Sequence, residues 1–444
     1  MSYPSFDLAG VDQVQVSTRP DLVPTDASAR RELARSIAFD GVVYGLPAVY
    51  QYAQMCRQYV AEGEALGIFL HERDLARPGF AAFRVPNVDT LYSNAWLDLS
   101  GGPVIVDLPE FGDRYYTLNL LDGFGNASNI SHRTVGHARQ IWLVSPTDDT
   151  EVPPDAVRLR VGSQLIWVLM RIQVLGDEAE VHRLQDAVML RCAGDARRIG
   201  VLVDPDEVMT DWRAFFRGLD AALRLIGVPA HELAIVRRLS MLGLTGEAEL
   251  DPGQLDPEVR AGTAAGFTEA MKVIDACRPQ LGELIPTGWT KVGDKGAHGL
   301  NHLSRAVMSH VGLGANVVEE NTSFNTYADV DGRPLDGSSG SYQVRLDTPP
   351  PAGAFWSVTM YDAEGFLVPN PIGRYAVGSA TSGLVVDDDG SVTIVIQPED
   401  EADRVRNWLP SPKGRFFLVL RIYQPAPDAL SGAWLPGGVR PVSR

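Results

Sequence analysis

Carboxylate, phenol and amide side chains concentrate in one short segment of the sequence, residues 84–98. Asp89 could act as a general base or orient a hydroxyl group, and Tyr92 could donate a hydrogen bond to a developing oxyanion. A structural alternative is that Asn87 and Asp89 cap a turn, because both residue types bond readily to their own backbone, while Tyr92 and Trp96 fill a core. We predict that Asp89 and Tyr92 are catalytic and that Asn87 and Trp96 contact the substrate.

An Arg-Tyr pair occurs in each half of the sequence, as Arg114-Tyr115 and as Arg374-Tyr375. Two guanidinium groups that converge between domains could hold a carboxylate or an oxyanion. The alternative is that each arginine stacks on its tyrosine and keeps its head group in water or paired with Asp. We predict that Arg114, Arg374 and Tyr375 bind substrate.

Aromatic residues elsewhere extend this set of candidates. Tyr361 could share proton transfer with the carboxylate and phenol of the first segment. Trp356 and Trp408, together with Trp96 and Phe366, could line a cavity for an apolar ligand, although core packing explains such residues equally well. We predict Tyr361 as a third catalytic residue and Trp356 and Trp408 as substrate-binding residues.

Three histidines, His298, His302 and His310, lie near one face of a predicted helix because their spacings are four and eight residues. A metal site would need that face to point inward and a carboxylate such as Glu319 or Glu320 to fold back onto it. Histidines on helices are more often neutral or exposed than metal ligands. We therefore favour no metal site and predict no cofactor.

The composition excludes several classes of protein. Lys and Arg number 39 and Asp and Glu number 56, so the net charge is 39 − 56 = −17, which disfavours nucleic acid as a partner. Hydrophobic residues at 45% and charged residues at 21% are ordinary for a globular chain. Motifs of phosphate-binding loops, dinucleotide-binding folds, serine hydrolases and zinc proteases are absent from the sequence.

Cellular location is indicated by the cysteines and by the first residues. Cys56, Cys192 and Cys277 are far apart in sequence and give neither a disulfide framework nor a thiolate zinc site. The N-terminus lacks a basic start followed by an apolar segment, and no window approaches 18 uninterrupted apolar residues. We expect a cytoplasmic protein with no membrane partner that acts on a small molecule and could form a homo-oligomer.

Periodicity divides the chain into four parts. Residues 1–25 are predicted to form an extended arm, and residues 26–176 a helical hairpin, interrupted at Gly45-Leu46-Pro47, followed by a β domain. Residues 177–313 are predicted to form a helical connector and residues 314–444 a C-terminal β-sandwich. The predicted class is α+β, mainly β, with two antiparallel, jelly-roll-like sandwich domains.

Individual elements follow from the same patterns. The predicted strands span residues 103–108, 115–121, 141–144, 165–175, 341–346, 354–361, 391–397 and 415–423. The predicted helices of the connector span residues 181–190, 207–226, 233–242, 264–281 and 301–311.

Several strings resemble known domains. Residues 86–96, with Gly102-Pro103 and Arg114-Tyr115-Tyr116, resemble an N-terminal domain catalogued as domain of unknown function 1254. The C-terminal half resembles its usual companion, domain of unknown function 1214, at residues 331–337, 355–362, 370–371, 374–375, 389–391 and 407–410, and at Arg421 and Trp434. The resemblance implies two β-sandwich-like domains joined through helices, with the ligand site in a cleft or tunnel between them. It implies no particular reaction.

The expected function is an enzyme that acts without a cofactor on a small, fairly apolar metabolite in a cleft between the two β domains. Hydrolysis is the nominal reaction. A lyase, an isomerase or a cyclase would use the same acid and base groups. A non-catalytic protein that binds a small molecule between its domains is a further alternative.

Overall fold

A computed structural model describes residues 5–6, 22–80, 84–399 and 407–442. Most of the predicted N-terminal arm therefore lies outside the described residues. The helices are α1 (Ala27–Ala61), α2 (His132–Val135), α3 (Glu178–Ala187), α4 (Trp212–Ile226), α5 (Leu233–Arg238), α6 (Pro257–Cys277), α7 (His302–Gly312) and α8 (Pro427–Ser431).

The strands fall into two groups along the chain. The first group is β1 (Ser5–Phe6), β2 (Leu70–His71), β3 (Thr90–Asp98), β4 (Val104–Asp107), β5 (Tyr116–Leu121), β6 (Ala127–Ile130), β7 (Gln140–Val144), β8 (Val157–Arg160), β9 (Leu165–Gln173), β10 (Met189–Cys192) and β11 (Val228–Pro229). The second group is β12 (Glu283–Leu284), β13 (Thr290–Lys291), β14 (Asn321–Thr326), β15 (Ser341–Leu346), β16 (Trp356–Asp362), β17 (Ala376–Gly378), β18 (Val392–Gln397), β19 (Trp408–Pro410), β20 (Phe416–Tyr423) and β21 (Val439–Val442).

The N-terminal β domain is a sandwich of two sheets. A five-stranded antiparallel sheet, in the order β2-β3-β9-β5-β6, faces a four-stranded sheet in the order β10-β4-β7-β8. Alternate residues of each strand point to opposite faces. In β9 one set, Ile166, Val168, Met170 and Ile172, enters the core between the sheets, and the other set, Leu165, Trp167 and Leu169, packs against helices.

Helices α1, α4, α6 and α7 cover the outer face of the five-stranded sheet and share one core with it. The predicted helical hairpin is wrong, because α1 continues from Ala27 to Ala61 with Pro47 inside it. Gly45 is a packing position rather than a turn, since a Cβ there would lie 2.8 Å from the side chain of Leu219 on α4. The glycine therefore lets α4 approach α1, and the single lost hydrogen bond at Pro47 is tolerated in a buried helix.

The C-terminal β domain is a second sandwich. Its six-stranded antiparallel sheet has the order β12-β13-β14-β20-β16-β17, and its four-stranded sheet has the order β19-β18-β15-β21. Strands β12 and β13 come from the stretch predicted as a helical connector. The core between the sheets includes Phe324, Val344, Trp356, Val358, Ile394, Leu418 and Leu420.

The α+β class with two sandwich-like domains is confirmed. The eight predicted strands are present within a few residues of their predicted bounds, and one of them, Ser341–Leu346, matches at both ends. Strand β3, which lies within the polar segment and pairs with the central strand β9, was not predicted. None of the helices in the described part of the chain combines the length and the apolar character that a membrane span requires.

Candidate functional site

A cavity of about 770 Å³ lies between the two β domains. Its walls come from the five-stranded sheet, from α7 and the loop that follows it, and from the six-stranded sheet. The buried polar lining consists of Asn87, Tyr92, Arg171, Lys295, Asn316, Asn321, Arg421 and Tyr423. The lining residues Arg84, Asp275, Arg278 and Glu364 are exposed and mark the opening.

In the six-stranded sheet, every second side chain along a strand points toward this cavity. In β20 the residues Leu418, Leu420 and Ile422 enter the sandwich core. The alternate residues Phe417, Val419, Arg421 and Tyr423 therefore face the cavity. The side chains of β14 alternate in the same way between the sandwich core and the cavity. Ser323 on β14 lies directly opposite Arg421 in the sheet.

Arg421 is the first of three buried cations in the cavity wall. Its Nη1 donates to the hydroxyl of Tyr361 at 2.9 Å, and its Nη2 donates to the carbonyl of Val85 at 2.8 Å. Burial alone would lower the pKa of Arg421, but the phenol groups of Tyr361, Tyr423 and Tyr92 raise it. The guanidinium group therefore stays charged inside the protein.

Arg171 is the second buried cation and comes from the opposite sheet. It is 8% exposed, and it lies opposite Tyr92 across strands β9 and β3. Its guanidinium group is 5.3 Å from the centre of the Tyr92 ring, and its Nη2 donates to the carbonyl of Gly314 at 2.9 Å. Its Nη1 is buried without a hydrogen-bond partner. Because an unpaired buried donor is costly, this atom is available to a ligand.

Lys295 is the third buried cation, in the loop before α7. Its Nζ donates to Asn321 Oδ1 at 2.9 Å and to Ser323 Oγ at 3.1 Å. Burial, followed by repulsion from Arg421 and Arg171, lowers the pKa of Lys295 from its ordinary value of 10.5 to about 7. At neutral pH a large fraction of this side chain is therefore an uncharged amine.

Two of the predicted site residues, Asn87 and Tyr92, line the cavity. Asn87 also caps a turn, as the structural alternative proposed, because its Oδ1 accepts from the backbone N–H groups of Asp89 and Thr90. Its Nδ2 donates to the hydroxyl of Tyr92 at 2.7 Å. Asn87 thus fixes the position of the Tyr92 phenol at the cavity wall.

Asp89 and Tyr361, the other predicted catalytic residues, lie behind the wall. Asp89 accepts a hydrogen bond of 2.7 Å from Ser357 on β16, and burial raises the pKa of its carboxyl group. Tyr361 is fully buried and donates to the carbonyl of Pro86 at 2.5 Å. Both residues join the N-terminal segment to the C-terminal sheet, and neither is among the cavity lining.

The predicted tryptophans occupy other places. Trp96 stacks on Trp167 at 5.4 Å beneath α1 and donates to Gln58 Oε1 at 3.1 Å. Trp356 lies in the C-terminal sandwich core, and Trp408 donates to the carbonyl of Gln397. None of the three lines the large cavity. Trp96 shares a face of β3 with Tyr92 but lies four residues further along the strand, whereas Trp356 points into the sandwich core.

The two Arg-Tyr pairs do not converge on the cavity. Arg114 pairs with Glu180 and donates to the carbonyl of Gln173 at 2.7 Å. Arg374 donates to the carbonyl of Trp408 at 2.9 Å, and Tyr375 packs beside the buried Tyr361 and Phe417. The shared sequence pattern therefore corresponds to two unrelated environments.

The three histidines of the metal hypothesis have separate carboxylate partners. His298 Nδ1 is 3.2 Å from Asp294, His302 Nε2 is 3.5 Å from Glu232, and His310 Nε2 is 3.0 Å from Asp275. Glu320, a carboxylate that could have completed the site, is buried against Arg133 and Ser131 instead. Among the described residues no group of three or more His, Cys, Asp or Glu side chains is arranged to hold a metal ion.

Sequence reasoning missed the three cations as a set. The signal for two of them is a single arginine inside an otherwise apolar strand, Leu169-Met170-Arg171-Ile172 in β9 and Val419-Leu420-Arg421-Ile422 in β20. A charge is almost never fully buried unless something pairs with it, so such a residue points to a site. Lys295 lies in a loop and carries no comparable signal.

Family models match two of the parts of the chain that build this cavity, whereas Lys295 and α7 lie outside both matches. Residues 67–191 match a protein of unknown function (DUF1254), and residues 320–427 match a protein of unknown function (DUF1214). The chain carries a DUF1254 domain followed by a DUF1214 domain. The resemblance drawn from the sequence is thus confirmed. In this DUF1254–DUF1214 protein, Arg171 comes from the first matched region and Arg421 from the second.

A solved structure shares this architecture. The crystal structure of the VPA0106 protein from Vibrio parahaemolyticus is 22% identical to this DUF1254–DUF1214 protein, with a TM-score of 0.69 over 92% of this chain and 100% of that chain. A putative uncharacterized protein from Burkholderia cenocepacia is 14% identical, with a TM-score of 0.44, and the match covers 94% of this chain and 89% of that one. The similarity to the VPA0106 protein shows that the two chains share a fold. No curated protein matches the chain.

Proposed function

We propose that the protein is an enzyme that binds a small organic anion with an apolar body in the interdomain cavity and acts on it by side-chain proton transfer. One observation carries this proposal. Arg171, Lys295 and Arg421 surround a cavity at the domain interface, and within the described part of the chain none of them is ion-paired with a carboxylate. Buried cations without a counter-ion favour an anionic ligand, because each charge costs free energy when it is left unpaired.

The remaining lining indicates the rest of the ligand. Apolar side chains from α7, from β20 and from the residues directly after β13 and α7 make up much of the wall, namely Val292, Met308, Val311, Leu313, Phe417 and Val419. A volume of about 770 Å³ lies in the range of typical small-molecule sites, roughly 300–1,000 Å³. A medium-chain carboxylate, with its charge at the arginines and its chain on these side chains, has the matching chemistry.

Two lining residues are suited to moving a proton. The lowered pKa of Lys295 makes it a base at neutral pH, and the Tyr92 hydroxyl can act as an acid. Asp89, the base expected for hydrolysis, lies outside the lining. An isomerase or a lyase is therefore favoured over a hydrolase, and a protein that only binds the anion is the alternative.

Titration calorimetry with hexanoate, hexanol and hexylamine tests the binding step. Wild-type protein is expected to bind hexanoate and neither of the other two compounds. Arg171→Gln should weaken hexanoate binding about tenfold or more, because a hydrogen bond to a charged group contributes roughly 1.5–3 kcal/mol. Arg374→Gln is the matched control, because Arg374 also donates to a carbonyl but lies outside the cavity.

Two results would contradict this proposal. Equal affinity for hexanoate and hexanol would mean that the cations do not select the ligand. An unchanged affinity in Arg171→Gln, with a loss in Arg374→Gln, would place the anion elsewhere. Turnover is then tested by following exchange of the α-hydrogens of a bound carboxylate with deuterium from solvent, and a protein that only binds would show none.

We also propose that the protein resides in the cytoplasm. Cys56, Cys192 and Cys277 are free thiols in the structure, which supports a reducing compartment. Fractionation of cells that express the full-length chain tests this location, and recovery in a secreted or periplasmic fraction would contradict it.

A further inference from the structure

We propose that Lys295 forms a covalent imine with the carbonyl group of a small oxo acid whose carboxylate pairs with Arg171 and Arg421. This inference rests on the proposed function, since it names the substrate class of the same cavity. The inference gives the Lys295 amine a role as a nucleophile, whereas the binding of an anion needs only the positive charge of this side chain.

The hydrogen bonds around Lys295 leave one position of its nitrogen open. A neutral amine has two N–H groups and one lone pair. Asn321 Oδ1 and Ser323 Oγ accept from Nζ at 2.9 and 3.1 Å, and no third acceptor is present among the described residues. The two acceptors therefore match the neutral amine, and the lone pair remains available to a carbon atom in the cavity.

The orientation of the Asn321 amide is fixed by the sheet. Its Nδ2 donates to the carbonyl of Ile422 on β20 at 3.3 Å, so Oδ1 is the atom that faces Lys295. Ser323 also donates to this oxygen, at 3.2 Å. Both acceptors are thus built into strand β14, with the Asn321 amide oriented by the neighbouring strand β20, and they hold the amine at the wall.

The charges around the amine have the sign that this chemistry needs. A lysine becomes nucleophilic when it is desolvated or lies next to another cation. Burial, followed by repulsion from Arg421 and Arg171, disfavours the protonated form of Lys295 and lowers its pKa to about 7. The titratable groups that line the cavity with Lys295 are Tyr92 of β3, Arg171 of β9, Arg421 and Tyr423 of β20, Tyr327, and at the opening Arg84, Asp275, Arg278 and Glu364.

The covalent step is a condensation. The lone pair of Lys295 Nζ attacks the carbonyl carbon of the oxo acid, and a C–N bond forms. Both hydrogens of the amine leave with the carbonyl oxygen as one molecule of water, and a neutral C=N bond remains. A proton from solvent converts this imine to an iminium ion, which withdraws electrons from the neighbouring carbon. No oxidant or metal is needed for any of these steps.

Reductive trapping tests the inference with the full-length protein. The protein is incubated with 2-oxohexanoate and sodium cyanoborohydride, and its intact mass is measured. Hydride adds to the imine carbon, so one adduct is expected at the mass of the oxo acid less one oxygen atom. The sequence contains only four lysines, Lys272, Lys291, Lys295 and Lys413, so peptide mapping assigns the position of the adduct without ambiguity.

The adduct is expected on Lys295 alone, and its yield should rise between pH 6 and pH 8. At pH 7.5 an amine with a pKa of about 7 has a neutral fraction roughly several hundredfold that of an ordinary lysine. Lys291→Arg is the matched control, because burial also lowers the pKa of Lys291 but its Nζ donates to the carbonyls of Ala429 and Leu430 outside the cavity. Lys291→Arg should keep the full yield, and Lys295→Arg should lose it.

Three other results would overturn the inference. Saturable binding of 2-oxohexanoate with no adduct would reject the imine and leave the anion site standing. An adduct spread over Lys272 and Lys413 would mean unselective surface chemistry. Neither binding nor an adduct, for 2-oxohexanoate and for hexanoate alike, would reject both the imine and the proposed function.

Discussion

Arg421 of the C-terminal sheet holds the carbonyl of Val85, a residue of the N-terminal domain, through a hydrogen bond of 2.8 Å. Val85 has φ +57, a conformation that a β-branched residue rarely adopts. Its N–H donates to the carbonyl of Gly365, so both polar backbone atoms of Val85 are bound by the partner domain. The same guanidinium group faces the cavity, so one side chain takes part in both the domain contact and the cavity wall.

Arg421→Gln is expected to lower the free energy of unfolding by about 3 kcal/mol, because the Val85 carbonyl and the buried Tyr361 hydroxyl each lose a charged donor. Urea denaturation measures the change. Arg345→Gln provides the comparison, since Arg345 pairs with aspartates at the surface, where ion pairs contribute little. A loss in Arg421→Gln no larger than that in Arg345→Gln would contradict the role of Arg421 in joining the domains.

Gly365→Ala is expected to destabilise the protein more than Gly332→Ala does. Both glycines have positive φ, +94 and +77, so each alanine incurs backbone strain of roughly 1–2 kcal/mol. A Cβ at Gly365 would also lie 3.2 Å from Cγ2 of Val85, whereas nothing lies within 4 Å at Gly332. Thermal unfolding of the two variants compares them. Equal melting temperatures would mean that the contact with Val85 is not tight.

The fold was largely predictable because strands and helices depend on local periodicity. The alternation from Ser341 to Leu346 gave a strand with the correct ends, and the periodic stretch after Asn301 corresponds to α7. The helical hairpin failed because Gly45 and Pro47 look like a break in the sequence. In the structure, the packing of Leu219 against Gly45 decides their role, and this contact joins residues far apart in the chain.

The unfolding free energy should depend on pH through Lys295. Its pKa is about 7 in the folded protein and near 10.4 in an unfolded chain, so the unfolded state binds more protons between these values. The contribution of Lys295 to the free energy of unfolding therefore rises as the pH increases from 7 toward 10, by at most about 1.4 kcal/mol per pH unit. Urea denaturation of wild type and Lys295→Met at pH 7 and pH 9 measures the slope.

The difference in stability between wild type and Lys295→Met should shift in favour of wild type as the pH rises. Lys413→Met is the control, because Lys413 lies at the surface beside Glu399, which raises the pKa of that lysine. A pH-independent difference for Lys295→Met would mean that the lysine titrates at an ordinary pKa.

Asp89→Asn is expected to be as stable as wild type at pH 7.5 or more stable. Burial raises the pKa of Asp89, so the folded state holds its proton more tightly, and stability falls as pH rises through the raised pKa. Asparagine removes this cost, and its amide oxygen can still accept from Ser357. Melting temperatures should converge as the pH approaches 4. A variant markedly less stable at pH 7.5 would contradict the raised pKa.

The candidate site was predicted only in part. Asn87 and Tyr92 were identified because polar residues concentrate around them, and they do line the cavity. Arg114 and Arg374 were chosen for a repeated local pattern, but the direction of a side chain depends on strand register and on the partner sheet. Arg171 and Arg421 meet at one cavity because two separate sheets face each other there, and no local pattern encodes that arrangement.

The most direct test of the anion site is a crystal structure of the protein soaked with 6-bromohexanoate. The bromine atom gives an anomalous signal that locates the ligand without reference to the protein. We predict a bromine peak among the apolar side chains of α7 and β20, with the carboxylate within hydrogen-bond distance of Arg171 and Arg421. A well-bound molecule elsewhere on the protein, with an empty interdomain cavity, would contradict the proposed anion site.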